Sequence, residues 1–546
     1  VSASPLLEVR GLRLVAEAAA ASTPLVDEVS FAIPEGGAVG LVGASGSGKS
    51  LTAAALIGLL PPGIRRTSGS ILWRGGEDLA VLPEPKLRRY RGARIGFVFQ
   101  DPLAALNPVL TIGRQLEEVL RMHRPELDAG ARRVEVERAF AAVELPTPAT
   151  IGRRHPHELS GGQRQRALIA IALAGEPDLL IADEPTTALD ATIQSQVVEL
   201  LDRLRRERGL ALLWISHDLA LLRTRVEELV IMYRGRVVER GSPEEVFARP
   251  QHAHTRELVE AARARAVARS EPTATPPVLR VHGLRVFHPS GRRWTGAPEG
   301  WQETVRGVDL ELRAGETLAL VGESGSGKST LVRALLRLPG ARVEGRVELQ
   351  VDGGAPIEWL TLPERAARPL RRHFGLVFQD PTSSLDPRMS AGRSVAEPLE
   401  VHGLAHGAAL QERVRELFEQ VGLEPEHALR RPGQLSGGQN QRVAIARALA
   451  TEPAVLICDE AVSALDLAVQ RKILELLRGL QDRLGFALLF VTHDLAVVRA
   501  LAHRAAVMER GCIVEQASAE QLLDAPSGAA ARAMVAAARA LHSEPR

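Results

Sequence analysis

Gly43-Ala44-Ser45-Gly46-Ser47-Gly48-Lys49-Ser50 recurs as Gly322-Glu323-Ser324-Gly325-Ser326-Gly327-Lys328-Ser329, 279 residues further along the chain. Both octets fit the pattern G-x4-G-K-[ST]. The first follows a short apolar run, Ala38–Val42, and precedes Ser50–Leu60, a stretch of helical composition. Strand, glycine-rich turn and helix in that order form a cradle for phosphate. Glycine lets backbone N–H groups converge on phosphate oxygens with no Cβ in the way, and the following helix presents its positive end. Lys49 and Lys328 are therefore expected to reach β- and γ-phosphates, and the Ser50 and Ser329 hydroxyls to coordinate Mg²⁺. One such octet could be a plain turn. Two copies between strand and helix argue strongly against that.

Four more motifs recur in the same order. Gln100 of FVFQDP returns as Gln379 of LVFQDP, again 279 residues on. Ser160 of LSGGQ returns as Ser436, Asp183 of DEPTTALD as Asp459 of DEAVSALD, and His217 of ISHDLA as His493 of VTHDLA, each 276 residues on. The chain is thus two homologous halves. The spacing changes once, by three residues, which predicts a tolerant segment between Gln100 and Ser160. The halves are predicted at 5–261 and 278–540. Residues 262–277, ARARAVARSEPTATPP, have linker composition between them. His288–Glu303, with Pro, Gly, Arg and two Trp, reads as a surface loop.

Leu179–Ala182 and Leu212–Ile215 are short apolar runs ending in polar residues. They are predicted to be buried parallel strands with chemistry at their C-terminal ends. Leu229–Gly241 reads as a hairpin around Arg234-Gly235, and Arg114–Arg124 and Ala131–Val143 as helices. Each half is then an α/β nucleotide core with an inserted helical segment and some antiparallel strands.

The strand at Leu179 ends in Asp183-Glu184, repeated as Asp459-Glu460. Neighbouring residues on a strand face opposite ways, so the two acids take different roles. Asp183 and Asp459 are the expected Mg²⁺ partners. Glu184 and Glu460 are placed to polarise an attacking water as general base. An isolated acidic pair would more often be a solvated strand end; its position downstream of a phosphate loop reverses that judgement.

The 546 residues include 68 basic and 66 acidic side chains, a formal net charge of +2. There is no global basic excess to recommend a nucleic-acid partner. Two cysteines, Cys458 and Cys512, cannot build a disulfide framework, a four-thiolate cluster or a Cys-rich zinc site. Cys458 reads as a core residue. No apolar run is long enough for a membrane helix, and Val1–Arg10 has no secretory pattern. Membrane association is expected only through partners.

Two phosphate loops, two LSGGQ pentapeptides, two acidic pairs and two downstream histidines resemble the ABC-type ATPases. LSGGQ is the discriminating element, and the motifs span nearly the whole chain. The resemblance implies an α/β fold of two tandem ABC-type P-loop nucleotide-binding domains. Each would be a RecA-like parallel-sheet core with an antiparallel β subdomain and an inserted helical subdomain. It also implies that the halves pack head to tail, with each ATP between the phosphate loop of one and the signature of the other. Site one would use Gly43–Ser50, Gln100, Asp183, Glu184 and His217, closed by Ser436, Gly437, Gly438 and Gln439. Site two would use Gly322–Ser329, Gln379, Asp459, Glu460 and His493, closed by Ser160, Gly161, Gly162 and Gln163. Gln100 and Gln379 would sense γ-phosphate and Mg²⁺. His217 and His493 would hold γ-phosphate and the catalytic water. Asp190 and Asp466 match the loop that communicates across the dimer, although each could equally be a helix N-cap.

Both sites keep the general base, so both are expected to hydrolyse ATP. The family usually stacks adenine on an aromatic residue after the first strand. Half one has none in Leu12–Glu17, where the match is Ala16; half two offers Phe287 or His288.

FQDPLAALNP (99–108) and FQDPTSSLDPRM (378–389) are similar to the ATPases of dipeptide, oligopeptide and nickel importers. Pro250–Leu258 matches the importers' tail P-x-H-x-Y-T-x-x-L, with His254 in the aromatic place; the copy in half two, Ser518–Ala530, looks eroded or absent. The resemblance implies two such ATPases fused in one chain. Their partners would be two transmembrane permease subunits, docked on the segments after Gln100 and Gln379, and an extracytoplasmic solute-binding protein reached through them. The chain would sit peripherally on the cytoplasmic face of the inner membrane. The rival reading is a soluble twin ATPase acting on ribosomes or nucleic acid. It calls for a long charged helical linker, zinc modules or coiled coils, none of which the sequence shows.

Overall fold

The computed structural model describes residues 5–17, 24–187, 189–263, 276–290, 300–351, 353–463 and 465–541. Most of the expected linker, 264–275, and the centre of the expected loop, 291–299 with Trp294, lie outside the described residues.

Each half carries two sheets. In half one a six-stranded sheet runs Arg236–Gly241, Glu228–Tyr233, Ala38–Val42, Ala211–Ser216, Leu179–Asp183, Ile95–Val98. It is parallel except for the edge hairpin closed by Arg234-Gly235. A four-stranded antiparallel sheet orders Pro24–Ile33, Leu7–Ala16, Ile64–Trp73, Glu77–Asp78. Half two repeats both, its main sheet ordered Phe374–Val377, Val455–Asp459, Ala487–Thr492, Thr317–Val321, Arg504–Glu509, Cys512–Ser518.

Strand alternation divides the core into two layers. Leu213 and Ile215 join Val39, Leu41, Leu179 and Ile181 against the antiparallel sheet and the helix Lys49–Leu56. Leu212 and Trp214 join Leu180 and Ala182 against the helices on the other face. The strands are buried on both faces, which is why they read as unbroken apolar runs.

The helical segment follows its caps. Thr111 Oγ1 accepts from Arg114 N to start Ile112–His123, and Asp128 accepts from Ala131 N to start Ala129–Ala142. The three-residue difference between halves is not one deletion. Ile112 matches Ala391, Ala129 matches Gly407, Pro148 matches Pro425 and Pro156 matches Pro432, so one residue is lost at each of three connections. Such turns shorten without disturbing the helix packing.

Three expectations change. The helix after the first phosphate loop stops at Leu56, short of Leu60, because Gly58 turns left-handed (φ 63°) ahead of Pro61-Pro62. The surface loop is narrower than His288–Glu303. His288, Pro289 and Ser290 pair with Gln302, Trp301 and Gly300 as strand ends, leaving the Trp301 ring half exposed. The tail of half two is present despite its lost motif: helix Ala529–Leu541 stands where half one has Ala253–Arg263. Its entry turn is held by Glu515, whose carboxylate accepts from Ser527 N and Gly528 N. Glu239 does the same for Gln251 N and His252 N. One carboxylate therefore does the work that the His-x-x-Thr pattern suggested. Cys458 is fully buried, and burial pushes its thiol well up, as a core residue requires.

Candidate active site

Each phosphate loop leaves its strand through glycines in the left-handed region: Gly46 and Gly48 (φ 76° and 98°), Gly325 and Gly327 (83° and 108°). Gly43 has a different constraint. A Cβ there would lie 2.3 Å from the Met232 carbonyl oxygen, and at Gly322 2.2 Å from that of Met508. The loop is thus pressed against the neighbouring strand. Gly235 N donates to Ser47 O and Gly511 N to Ser326 O, fixing the loop's curvature from the hairpin.

Lys49 and Lys328 are buried at the loop mouth. Lys49 Nζ donates to Gly43 O (2.7 Å) and Ala44 O (3.0 Å); Lys328 Nζ donates to Gly322 O (2.7 Å) and Glu323 O (2.8 Å). Burial pulls both amines down, opposed by the carboxylates of Glu184 and Asp183, and of Glu460 and Asp459. The Ser47 and Ser326 hydroxyls are buried without a partner. Buried polar atoms normally find one. Orphan hydroxyls, a desolvated ammonium and convergent N–H groups fit a polyphosphate.

Beside each lysine stands the expected cation pair. Ser50 Oγ donates to Asp183 Oδ1 (3.2 Å) and Ser329 Oγ to Asp459 Oδ1 (3.1 Å). Burial lifts the Asp183 carboxyl to about 6 against the Ser50 hydrogen bond, and raises Asp459 likewise. Such hard oxygen donors suit Mg²⁺.

The two glutamates are held in a strained backbone, φ 46° at Glu184 and 50° at Glu460. Glu184 N donates to Ile215 O and Glu460 N to Val491 O, both at 3.0 Å, pinning the turn to the next strand. Side chains in that region cost on the order of 1–3 kcal/mol and persist where surroundings enforce them. Here the strain swings each carboxylate off the strand end toward the loop. Gln100 Nε2 donates to Glu184 Oε2 (3.0 Å) and Gln379 Nε2 to Glu460 Oε2 (2.8 Å). His217 Nδ1 lies 3.3 Å from Glu184, and His493 Nδ1 3.5 Å from Glu460. Burial by itself would raise Glu184; the His217 hydrogen bond and charge, with Lys49, overcome it and hold the carboxyl at about 2. Glu460 is lowered the same way by His493. Burial works against both imidazoles, and their glutamates nevertheless raise them. Glutamine, glutamate and histidine therefore converge at both sites.

Sequence reading missed one contact. Thr187 Oγ1 donates to Glu184 Oε2 (2.9 Å). Its counterpart Ser463 donates to the backbone oxygen of Glu460 instead. The signal was a hydroxyl three residues after each glutamate.

The signatures start helices. Ser160 Oγ accepts from Gln163 N and Gln163 Oε1 from Ser160 N, a reciprocal cap over Gly161–Leu173; Ser436 and Gln439 repeat it over Gly437–Leu449. Gly162 and Gly438 sit tight against the next helix. A Cβ would lie 2.5 Å from Ile193 and 2.6 Å from Val469. Ile193 and Val469 lie in the first turns of helices capped by Asp190 and Asp466. Asp190 makes two contacts: Oδ1 caps Ile193 N, and Oδ2 accepts from Ser324 N of the opposite phosphate loop at 3.3 Å. Lys49 in turn feels Asp466, and Lys328 feels Asp190, so each loop faces the other half's aspartate.

The bulges of the first strands bring the two halves into correspondence. They fall at Val9/Leu12, Leu12/Leu14 and Leu14/Val15 in half one, and at Val281/Leu284, Leu284/Val286 and Val286/Phe287 in half two, which has a further one at Pro277/Leu279. Ala16 therefore corresponds to His288. Phe287, on the other face, lies under the guanidinium groups of Arg285 and Arg342.

Among the described residues no helix is long and apolar enough to cross a membrane. The family model described as ABC transporter matches residues 26–187 and again 305–463. The chain is 43% identical over 536 residues, 98% of its length and 96% of the relative's, to the peptidoglycan transport ATP-binding protein YejF of Agrobacterium fabrum. It is 42% identical over 542 residues, 94% of its length and 86% of the relative's, to the glutathione import ATP-binding protein GsiA of Escherichia coli K12. The Salmonella typhimurium GsiA is 40% identical, covering 97% of this chain and 89% of its own. With the family model matched twice and relatives aligned nearly end to end, the chain belongs to the ABC transporter family and carries two of its ATP-hydrolysing domains in one polypeptide.

Proposed function

We propose that the chain energises import of peptides or peptide-like small solutes, using two ATP sites shared head to tail between its halves. The observation that carries the chemistry is the cluster at each strand end, where Gln100, Glu184 and His217, and again Gln379, Glu460 and His493, meet beside a phosphate loop. The solute class follows the relatives, one named for peptidoglycan transport and others for glutathione import. Glutathione and muropeptides share a short peptide with free carboxylates.

Site one takes ATP on Gly43–Ser50, and Ser436, Gly438 and Gln439 close over the γ-phosphate. Site two takes it on Gly322–Ser329 under Ser160, Gly162 and Gln163. Ser50, Gln100 and Asp183, and Ser329, Gln379 and Asp459, hold Mg²⁺, which when bound neutralises phosphate charge. Lys49 and Lys328 turn from loop carbonyls to phosphate. Glu184 and Glu460 accept the proton of the attacking water. His217 and His493 orient that water and the γ-phosphate. Glu184 stays ionised beside His217, and its neighbouring aspartate is desolvated where a cation would sit.

Closure must favour the ATP-bound pair of halves over the open one for hydrolysis to drive a permease. The partners in this reading are two membrane permeases and, through them, a solute-binding protein, with the chain on the cytoplasmic face of the membrane. Uptake of labelled glutathione and of a labelled muropeptide into cells lacking the gene tests it. Loss of either, restored by the wild-type gene but not by Glu184→Gln/Glu460→Gln, is expected. Unchanged uptake of both, and of labelled oligopeptides, would refute the solute class.

A further inference from the structure

The two glutamates share a place in the fold, yet their carboxylates are held differently. At site one every partner meets a single oxygen. Gln100 Nε2 (3.0 Å) and Thr187 Oγ1 (2.9 Å) donate to Glu184 Oε2, and His217 Nδ1 approaches the same atom at 3.3 Å. Glu184 Oε1 accepts no hydrogen bond among the described residues. At site two the partners are divided. Gln379 Nε2 donates to Glu460 Oε2 (2.8 Å), while His493 Nδ1 approaches Oε1 at 3.5 Å. Each oxygen of an ionised carboxylate offers about two acceptor sites. Glu184 thus keeps one oxygen clear for a water proton, whereas at Glu460 either oxygen is shared with a protein group.

The difference traces to the residues after each glutamate, Pro185-Thr186-Thr187 against Ala461-Val462-Ser463. The backbone turn is common to both: Thr187 N donates to Glu184 O and Ser463 N to Glu460 O, each at 3.2 Å. Ser463 directs its hydroxyl to that same carbonyl oxygen, at 3.0 Å, a local bond typical of serine. Thr187 carries a methyl group on Cβ, which restricts χ1, and its hydroxyl reaches the carboxylate instead. A second contact holds the turn in half one. Gln194 Nε2, on helix Ala191–Arg208, donates to the buried Thr186 Oγ1 (3.4 Å). Val462 has no hydroxyl, and the matching Gln470 donates to Asp494 Oδ2 (3.1 Å), beside His493. The helix after the turn therefore braces the base-bearing segment at site one and the histidine segment at site two.

We propose that Thr187 is a positioning residue, which fixes the Glu184 carboxylate with one oxygen open to the attacking water and makes site one the faster of two working sites. The proposal rests on the assignment of Glu184 and Glu460 as bases. Thr187 acts only through Glu184. Small misplacements of reacting groups are costly in rate, so a hydroxyl redirected by one methyl group is enough to separate the sites.

Phosphate release in a single turnover, on the full chain with Mg-ATP, tests it. Glu460→Gln leaves site one as the working site, and Glu184→Gln leaves site two. The site-one burst should be about tenfold faster, the worth of one hydrogen bond to a charged group. Thr187→Ser in the Glu460→Gln background should slow the burst to the site-two rate with ATP affinity unchanged. Val462→Thr/Ser463→Thr in the Glu184→Gln background should speed site two toward the site-one rate, a gain that lost packing cannot give. Equal bursts in the two backgrounds would overturn the proposal. So would a Thr187→Ser burst as fast as its parent's, one slowed only through weaker ATP binding, or a grafted site two no faster than before. Turnover surviving in the Glu184→Gln/Glu460→Gln chain would instead overturn the base assignment, and the proposal with it.

Discussion

Replacing Glu184 and Glu460 by glutamine isolates one property of each site, the proton-accepting charge. The amide has the shape of the carboxylate and suffers the same left-handed backbone, φ 46° and 50°, so the pinned turn is not disturbed. It can still present an oxygen to Gln100 Nε2 and Thr187 Oγ1 at site one, and to Gln379 Nε2 at site two. What it cannot do is accept the water's proton. General-base catalysis contributes roughly 10²–10⁴-fold, equal to about 3–5.5 kcal/mol of barrier. The double variant should therefore release phosphate at between one hundredth and one ten-thousandth of the wild-type rate. Because Lys49, Lys328 and the loop glycines are untouched, it should bind ATP at least as tightly. The assay pairs steady-state phosphate release with equilibrium binding of a fluorescent ATP analogue. Each single variant should still give a burst of one phosphate per chain from its intact site. A double variant retaining more than a tenth of wild-type turnover would refute the assignment of both glutamates. A single variant with no burst would refute two independently competent sites.

Three further outcomes follow from particular contacts. Nucleotide-free stability should carry the signature of the Glu–His pairs. Glu184 is depressed, so its contribution is present above about pH 4.3 and lost as pH falls toward 2; His217 is raised, so its contribution is complete below about pH 6.5 and lost as pH rises past its elevated value. In EDTA, melting of wild type against His217→Gln should differ most between about pH 4.5 and 6.5; a difference that grows toward pH 9 would contradict the pairing. Gly438→Ala drives a Cβ to 2.6 Å from Val469, whose branched side chain has little rotamer freedom. Overpacking of about 1–3 kcal/mol should displace the signature from the Asp466 helix and lower ATPase by about tenfold with native circular dichroism, and more than half activity would show that their spacing is irrelevant. Lys49→Ala leaves site two, with His288, as the binding site; Lys328→Ala leaves site one, with Ala16. Stacking worth about 1 kcal/mol should make ATP bind roughly fivefold tighter to Lys49→Ala, and equal affinities by calorimetry would remove the idea.

Much of this site was legible because its parts are local. The octets at Gly43 and Gly322 carry their own strand and helix. The LSGGQ copies at Ser160 and Ser436 are recognisable on their own, and Asp183-Glu184 ends an apolar run that reads as a buried strand. The misses are where distant residues meet or where backbone detail decides. The hydroxyl three residues after each glutamate is a local signal, but it does not fix the contact: Thr187 reaches the Glu184 carboxylate, whereas Ser463 turns to the backbone oxygen of Glu460. The choice of His288 over Phe287 depends on three bulges, each of which shifts the register that alternation would predict. The tail of half two was misread because its motif was sought in side chains, whereas Glu515 holds the turn through backbone N–H groups. The packing of tail helix Ala529–Leu541 along helix Ala191–Arg208 of the other half is long-range, invisible to periodicity.

The central claim is that both ATP sites serve a membrane importer, and isolation of the closed chain with its partners tests it most directly. The Glu184→Gln/Glu460→Gln protein, tagged and held with Mg-ATP, is recovered from detergent-solubilised membranes of its own host, and everything that accompanies it is identified by mass spectrometry. The account predicts two different multi-span permeases in equal amount, one for each half. Ribosomal proteins or nucleic-acid enzymes in their place, with no permease, would contradict it.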